Sequence, residues 1–158
     1  TRLGPVATQV QQNRVRGKIE RAIEQGARMV SGGADVPKAV EQGSYVSPTI
    51  FSHVLPGMQI AQEEVFGPVL AVMSYDGEDE AAQLANCTPY GLSGAVWSRN
   101  TDLAAAFARR MKTGQVVING AAQNLATPFG GWGWSGFGRE NGRFGIEDLL
   151  NYRSLHGA

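Results

Sequence analysis

The sequence has little that would associate it with nucleic acids or membranes. Lys and Arg together number 14, as do Asp and Glu, so the formal net charge is +0 over 158 residues. Binding to nucleic acid or to an anionic membrane needs an excess of positive charge, so neither partner is expected. No apolar run approaches the roughly 18 to 20 residues of a membrane-spanning helix. Residues 1–5 also lack an apolar signal core, and we expect a cytoplasmic protein.

Cysteine and histidine are nearly absent. The one cysteine, Cys87, excludes an intramolecular disulfide framework and a multi-cysteine metal site. The two histidines, His53 and His156, lie far apart without metal-ligand spacing, so no metal site is expected. Cys87 invites a nucleophile hypothesis, but it follows a predicted amphipathic helix and has no basic partner nearby in the sequence. A small buried or half-buried hydrophobic residue is the simpler interpretation.

Hydrophobic residues make up 42% of the chain, which is enough for a core. Between residues 69 and 118, apolar β-rich runs alternate with helical patterns, as in a parallel sheet covered by helices. We therefore predict an α/β fold with a largely parallel sheet flanked by helices. The predicted helices cover residues 8–25, 76–87, 100–114 and 146–150. The predicted strands cover residues 27–31, 45–54, 69–75, 94–98, 116–118 and 151–156.

Local signals set several of these boundaries. Thr8 and Gln11 form a T-x-x-Q capping box at the start of the first helix, and Gly26 can end it in a left-handed conformation. Residues 34–44 are polar and contain proline and glycine, which predicts a loop or a hairpin tip. Pro48 lies within a predicted strand, so an edge or irregular position is expected there.

Glycine is in excess, with 21 residues, seven of them between residues 130 and 145. Bulky aromatic residues are interleaved with them, which predicts an ordered loop with unusual dihedral angles or close packing. Residues 131–136 match G-x-G-x-x-G, but they neither follow a predicted strand nor open a helix. A dinucleotide-binding fingerprint is therefore not supported here.

The segment E-E-V-F-G-P-V at residues 63–69 places two carboxylates and an aromatic ring just before a predicted strand. Loops at strand ends are where α/β proteins place ligands. A carboxylate there can accept both hydroxyls of a ribose, and a ring can pack on a planar heterocycle. From the residues alone, a solvated pair of charges and a core phenylalanine is the simpler interpretation.

Taken together, the motifs resemble those of the aldehyde dehydrogenase superfamily, over essentially the whole chain. The pair E-E-x-F-G-P-V and P-F-G-G…S-G-x-G-R-E is highly specific, and the order and spacing also match. The matching segments are Gly4-Pro5, Gly32-Gly33, residues 63–69, A-N-C-T-P-Y-G-L at 85–92, G-Q-V-V-I-N at 114–119, P-F-G-G at 128–131 and S-G-F-G-R-E at 135–140.

The resemblance implies NAD(P)-dependent oxidation of an aldehyde to a carboxylic acid. It assigns Glu64 to the nicotinamide ribose of NAD or NADP, Phe66 to the nicotinamide, and Phe129 to the aldehyde tunnel. It makes residues 1–145 a partial catalytic domain with the glycine-rich loop. It makes residues 146–158 a terminal helical turn and a strand, roughly residues 152–156, through which subunits form a homo-oligomer.

The catalytic groups of the family have no counterpart in this sequence. The family places its nucleophile in F-x-x-x-G-Q-x-C and its general base in E-L-G-G, and neither string is present. Cys87 aligns within A-N-x-T-P-Y-G-L and is not the nucleophile. The resemblance thus implies no catalytic residue in this chain, an inactive C-terminal fragment, and weak or no cofactor binding by that fragment.

Two alternatives remain open at this point. One is a non-catalytic assembly or regulatory module that docks on full-length subunits through the C-terminal strand. The other is a superfamily relative that reduces acyl phosphates, although E-E-x-F-G-P-V favours the dehydrogenases. Gly133 also departs from the family, which often has lysine there, so no role of that lysine is carried over.

Overall fold

The computed structural model describes residues 3–35, 37 and 42–157. The helices are α1 (Gln9–Glu24), α2 (Gln59–Gln62), α3 (Gly77–Ala85), α4 (Thr101–Ala108) and α5 (Gly142–Glu147). The strands are β1 (Arg28–Gly33), β2 (Ser47–Ser52), β3 (Val69–Ala71), β4 (Tyr90–Gly91), β5 (Ser93–Val96), β6 (Gln115–Ile118) and β7 (Trp132–Gly133). The chain forms two compact units, residues 1–76 and 77–158. Across the described residues, no helix has the length and apolarity needed to cross a membrane.

Helix α1 begins and ends where the sequence predicts. The Thr8 hydroxyl accepts a hydrogen bond from the Gln11 backbone N–H at 3.1 Å. At the other end, Gly26 has φ +93°, and the Ala27 N–H donates to the Ala22 carbonyl at 3.0 Å. This is the left-handed glycine cap that closes many helices. The capping box is only half formed, because the Gln11 side chain bonds elsewhere.

The first unit contains a three-stranded sheet of order β1-β2-β3. Strand β2 pairs antiparallel with β1 and parallel with β3. The core lies between this sheet and α1, which buries Val15, Ile19 and Ala22 completely, and β2 contributes the fully buried Phe51. Burial of the Val15, Ile19 and Phe51 side chains stabilises the unit by about 1.5–3 kcal/mol each.

Pro48 lies in the central strand of that sheet, so the edge position considered for it is wrong and the irregular position is right. Register shifts interrupt the β1–β2 ladder between Met29 and Gly33, opposite Pro48. The buried Thr49 hydroxyl repairs the gap, because it accepts from the Gly33 N–H at 3.1 Å and donates to the Ser47 carbonyl at 2.8 Å. Proline has no N–H to donate to the ladder, and it is tolerated here because the ladder is already irregular and the Thr49 hydroxyl serves as the acceptor for the Gly33 N–H.

The second unit is built on the parallel pair β5–β6, with α4 between the two strands in sequence. The Asn100 carboxamide caps α4 by accepting from the Asp102 and Leu103 N–H groups. The helix ends at Ala108, earlier than the predicted Gly114, because Arg110 and Met111 make tighter three-residue turns. Strands β4 and β7 form a separate antiparallel pair.

The α/β fold is therefore confirmed, and its sheets are mixed, with two parallel and two antiparallel strand pairs among the described residues. Helix α5 begins at Gly142, four residues before the predicted helical turn. Residues 151–157 pair with no strand among the residues that the structure describes. Of the predicted loop at 34–44, residues 36 and 38–41 lie outside the described residues.

The glycine-rich segment is an ordered loop, as predicted. Gly133 has φ +58° and packs against the Pro89 carbonyl, where a side chain would collide. A Cβ on Gly114 would likewise collide with the Gly130 carbonyl. These close backbone approaches account for part of the glycine excess.

Candidate cofactor-binding site

The E-E-V-F-G-P-V segment forms the loop between α2 and β3. Residues 63–67 of this loop, which spans residues 63–68, line a surface cavity of about 320 Å³ together with Ile60 of α2 and with Val69 and Ala71 of β3. Glu64 and Phe66 both line this cavity. The structure thus brings the two sequence-predicted cofactor residues to one cavity in the first unit.

Phe66 is an exposed side chain on a strained backbone. Its φ is +55°, and the residue is 72% exposed, so the simpler interpretation of a core phenylalanine is wrong. A non-glycine residue in the left-handed region costs of order 1–3 kcal/mol and persists only when its surroundings hold it there. A large apolar ring left in solvent on a strained loop is typical of a binding site.

Side chains of helix α1 hold this loop in place. The Gln11 side-chain amide donates to the Phe66 carbonyl at 2.9 Å and to the Val65 carbonyl at 3.4 Å. The Lys18 ammonium donates to the Glu64 carbonyl at 2.7 Å. Val15 packs against Gly67 so closely that an added Cβ would lie 2.7 Å from its Cγ2 atom. Positions 11, 15 and 18 share one helix face, so one face of α1 fixes the loop backbone at three points.

The two adjacent carboxylates have different environments. Glu63 accepts a hydrogen bond from the Gln59 side-chain amide at 2.9 Å and pairs with Lys18 at 3.2 Å. The pKa of Glu63 is lowered below its ordinary value, mainly by the hydrogen bond from Gln59 and to a lesser extent by the contact with Lys18. Glu64 is exposed, and its carboxylate makes no hydrogen bond or ion pair with any residue that the structure describes. Glu63 is therefore an anchor of the loop, and Glu64 is the carboxylate available to a ligand.

Phe129 lies in the second unit and lines a different cavity, of about 330 Å³, with the glycine-rich loop. Its N–H and carbonyl exchange hydrogen bonds with Glu140 at 2.8 and 2.7 Å. Arg139 braces the same loop, donating from Nη1 to the Gly131 and Gly138 carbonyls at 2.9 and 2.7 Å. Phe129 is half-buried, so its ring is held by the loop and still reaches the cavity.

Sequence reasoning missed the residues that support the loop, namely Gln11, Lys18 and Gln59. The two α1 residues lie 46 to 55 positions from their loop partners, so no local pattern connects them. Gln59 is four residues before Glu63, a spacing at which helical side chains meet, and this was the one available signal.

Cys87 follows the last turn of α3, where its N–H donates to the Leu84 carbonyl at 3.2 Å. It is half-buried and forms no disulfide. Within the described part of the chain, no three His, Cys, Asp or Glu side chains are grouped so that they could hold a metal ion.

Comparisons with known proteins agree over nearly the whole chain. The profile of the aldehyde dehydrogenase family matches residues 1–155. A 3-succinoylsemialdehyde-pyridine dehydrogenase from a Pseudomonas species is 43% identical over 157 residues, which is 99% of this chain and 33% of that protein. The chain thus spans about a third of the length of the curated relatives it matches.

Two solved structures show the same fold. Aldehyde dehydrogenase C from Pseudomonas syringae, a mutant complexed with NAD+ and octanal, is 45% identical with a TM-score of 0.91, over 94% of this chain and 31% of that one. An aldehyde dehydrogenase from Mycobacterium tuberculosis, complexed with NAD+, is 42% identical with a TM-score of 0.89, over 93% of this chain and 30% of that one.

Proposed function

The chain belongs to the aldehyde dehydrogenase family, and from that premise we propose that it supplies the nicotinamide end of the cofactor site of an NAD(P)-dependent aldehyde dehydrogenase. The observation that carries the proposal is that one loop, held by α1, presents both the Glu64 carboxylate, which has no partner among the described residues, and the exposed Phe66 ring. When bound, NAD or NADP accepts the hydride that the aldehyde gives up.

The residues present fit such a ligand. The Glu64 carboxylate can accept hydrogen bonds from the two hydroxyls of a ribose without giving up a protein partner. The Phe66 ring offers an apolar face on which a planar nicotinamide can pack. Because the loop backbone is fixed by α1, little ordering is required when a ligand arrives, which favours binding.

Phe129 is proposed to line the aldehyde site. A half-buried aromatic ring in a cavity of about 330 Å³ is suited to the apolar part of a small organic substrate. Arg139 contributes indirectly, because it holds the loop that carries Phe129.

We propose that the 158-residue chain alone does not catalyse the reaction. Neither G-Q-x-C nor E-L-G-G is present, and the curated relatives are about three times as long. Purified chain supplied with aldehydes and NAD or NADP is expected to give no change in nicotinamide absorbance above the blank. Turnover that persists in Cys87→Ala would overturn this account.

Cofactor binding by the isolated chain is expected to be weak, because Glu64 and Phe66 contact only the nicotinamide end. Calorimetry with NAD should give no binding in the low micromolar range, and a dissociation constant in that range would contradict the proposal.

The roles of Glu64 and Phe66 are tested in a full-length enzyme. A chimera in which this chain replaces the matching third of P. syringae aldehyde dehydrogenase C can be assayed with NAD and octanal. Glu64→Gln and Phe66→Ala should each raise KM for NAD by about tenfold, the effect of losing about 1.4 kcal/mol of binding. Glu63→Gln is the matched control, and its effect should be smaller because Glu63 faces Lys18 and Gln59. Unchanged kinetics in both test variants would refute the assignment.

A second role is assembly with other subunits. Tyr152 and Leu155 are 78% and 83% exposed, on a segment that pairs with no strand in the described part of the chain. Such a segment can add a strand to the sheet of another chain, either in a homo-oligomer or on full-length subunits. Sedimentation should detect association with full-length subunits, and strictly monomeric behaviour in their presence would exclude this role. We also propose a cytoplasmic location, which agrees with a sequence whose single cysteine allows no intramolecular disulfide and which cell fractionation tests.

A further inference from the structure

Lys18 contacts both glutamates of the loop in different ways. Its ammonium lies 3.2 Å from the Glu63 carboxylate and 2.7 Å from the backbone carbonyl of Glu64. The Lys18 side chain is 24% exposed, so its stem packs on the protein and its charge is directed at the loop. One cation thus holds the side chain of the first glutamate and the main chain of the second.

These two contacts constrain the peptide that joins the glutamates. A carboxylate and a carbonyl bound to the same ammonium leave little freedom for the backbone between them. The Glu64 side chain has no partner of its own among the described residues. The direction in which its carboxylate projects therefore depends on the backbone that Lys18 holds.

We propose that Lys18 is a positioning residue for Glu64. It touches neither cofactor nor substrate in this role, and it acts by fixing the Glu63–Glu64 peptide so that the Glu64 carboxylate faces the cavity. This inference rests on the proposed cofactor role of Glu64, and it adds a residue that the family motif does not contain.

A purely structural role makes different predictions. If Lys18 and Glu63 formed only a partly exposed structural ion pair, it would contribute little to stability and would affect the binding site only through the amount of folded protein. A positioning role changes cofactor affinity while the folded fraction stays the same. Measuring KM for NAD together with the urea unfolding midpoint therefore distinguishes the structural role from the positioning role.

The experiment compares three substitutions in the P. syringae chimera and in the 158-residue chain. Lys18→Met removes the ammonium and keeps the stem, and Lys18→Arg keeps a cation and donor. Arg21→Met is the matched control, because Arg21 lies on the same helix, pairs with Glu24 at 3.3 Å and makes no hydrogen bond or ion pair to the loop.

In the chimera, Lys18→Met should raise KM for NAD by roughly tenfold, since misplacing a binding group by about 1 Å can cost up to about 10²-fold. KM for octanal and the urea midpoint should change little. Lys18→Arg should recover most of the affinity, and Arg21→Met should match the parent. In the 158-residue chain, Lys18→Met should speed hydrogen exchange of the Glu63 and Val69 amides at the two ends of the loop, which donate to the Gln59 and Gly67 carbonyls at 2.9 and 2.8 Å, and Arg21→Met should not.

Failure of the positioning role of Lys18 can be distinguished from failure of the cofactor role of Glu64. If Glu64→Gln raises KM for NAD and Lys18→Met does not, the positioning role is refuted and the cofactor role stands. If Glu64→Gln has no effect, the cofactor role itself fails. If Lys18→Met leaves loop exchange unchanged in the 158-residue chain, the positioning role is refuted whatever the chimera shows.

Discussion

Gly67 is the point at which the loop of residues 63–68 packs on α1, so Gly67→Ala is expected to disturb both the loop and the core. An added Cβ would lie 2.7 Å from Cγ2 and 2.9 Å from Cγ1 of Val15, whose side chain is completely buried. Overpacking of this kind costs typically about 1–3 kcal/mol. Replacing glycine with alanine also restricts the unfolded chain, which offsets about 0.4–1 kcal/mol. The net loss of stability should be about 0.5–2 kcal/mol.

The clash is specific to two methyl groups, which makes a double-mutant cycle decisive. Val15→Ala removes both, at a cost of about 1.6 kcal/mol for two methyl equivalents and a further cavity term. The alanine Cβ that remains at position 15 would lie 3.4 Å from the new methyl, an ordinary contact. In the Val15→Ala background, Gly67→Ala should therefore be neutral or slightly stabilising. The coupling between the two changes should be about 1–2 kcal/mol.

The assay is urea unfolding of the four proteins of the cycle, followed by circular dichroism. Gly17→Ala is the control, because a Cβ there meets nothing within 4 Å. It lies inside α1 and should stabilise the chain by about 0.5–1 kcal/mol. If Gly67→Ala and Val15→Ala add to within about 0.5 kcal/mol, they do not share a contact and the reasoning is refuted.

Two further predictions concern the charged groups that brace the loops. Because the pKa of Glu63 is lowered in the folded protein, its contribution to stability is present above the unfolded glutamate pKa of about 4.3 and is lost as the pH falls through the lower folded value. The difference in urea midpoint between the parent chain and Glu63→Gln should therefore shrink on going from pH 7 to pH 3, and a difference that does not change with pH would contradict the pairing. Arg139→Met should destabilise the glycine-rich loop by about 1.5–3 kcal/mol per lost charged hydrogen bond, so limited proteolysis between residues 129 and 140 should become faster. The control is Arg143→Met, whose side chain bonds only to Glu147 among the described residues. Equal cleavage of the two variants would exclude this role of Arg139.

Elements closed by local chemistry were predictable from the sequence. Thr8 and Gly26 bracket α1, and Asn100 starts α4, because each acts through backbone groups within a few residues. The end of α4 was not predictable in this way, since Gly114 is a good terminator but tighter turns intervene at Arg110. Pro48 was misplaced in part because its tolerance in a central strand depends on the hydroxyl of Thr49.

The candidate site was likewise predictable from the sequence only in part. The motif identified Glu64 and Phe66 as a pair, and both line one cavity. The sequence could not distinguish Glu63 from Glu64, because the difference arises from contacts with Lys18 and Gln59. Nor could it show that Phe66 is exposed, since the same residue type in the same pattern is usually buried. A strand at residues 152–156 stays a prediction, because pairing there requires another chain.

The support of the loop by α1 has a consequence for recombination between members of the family. A crossover between residues 24 and 59 would join an α1 from one parent to a loop from another. Such a hybrid keeps every residue of E-E-V-F-G-P-V and can still lose the lysine and glutamine that seat it. When segments are exchanged in this region, residues 11–18 and 63–67 should therefore come from the same parent, although some fifty positions separate them along the chain.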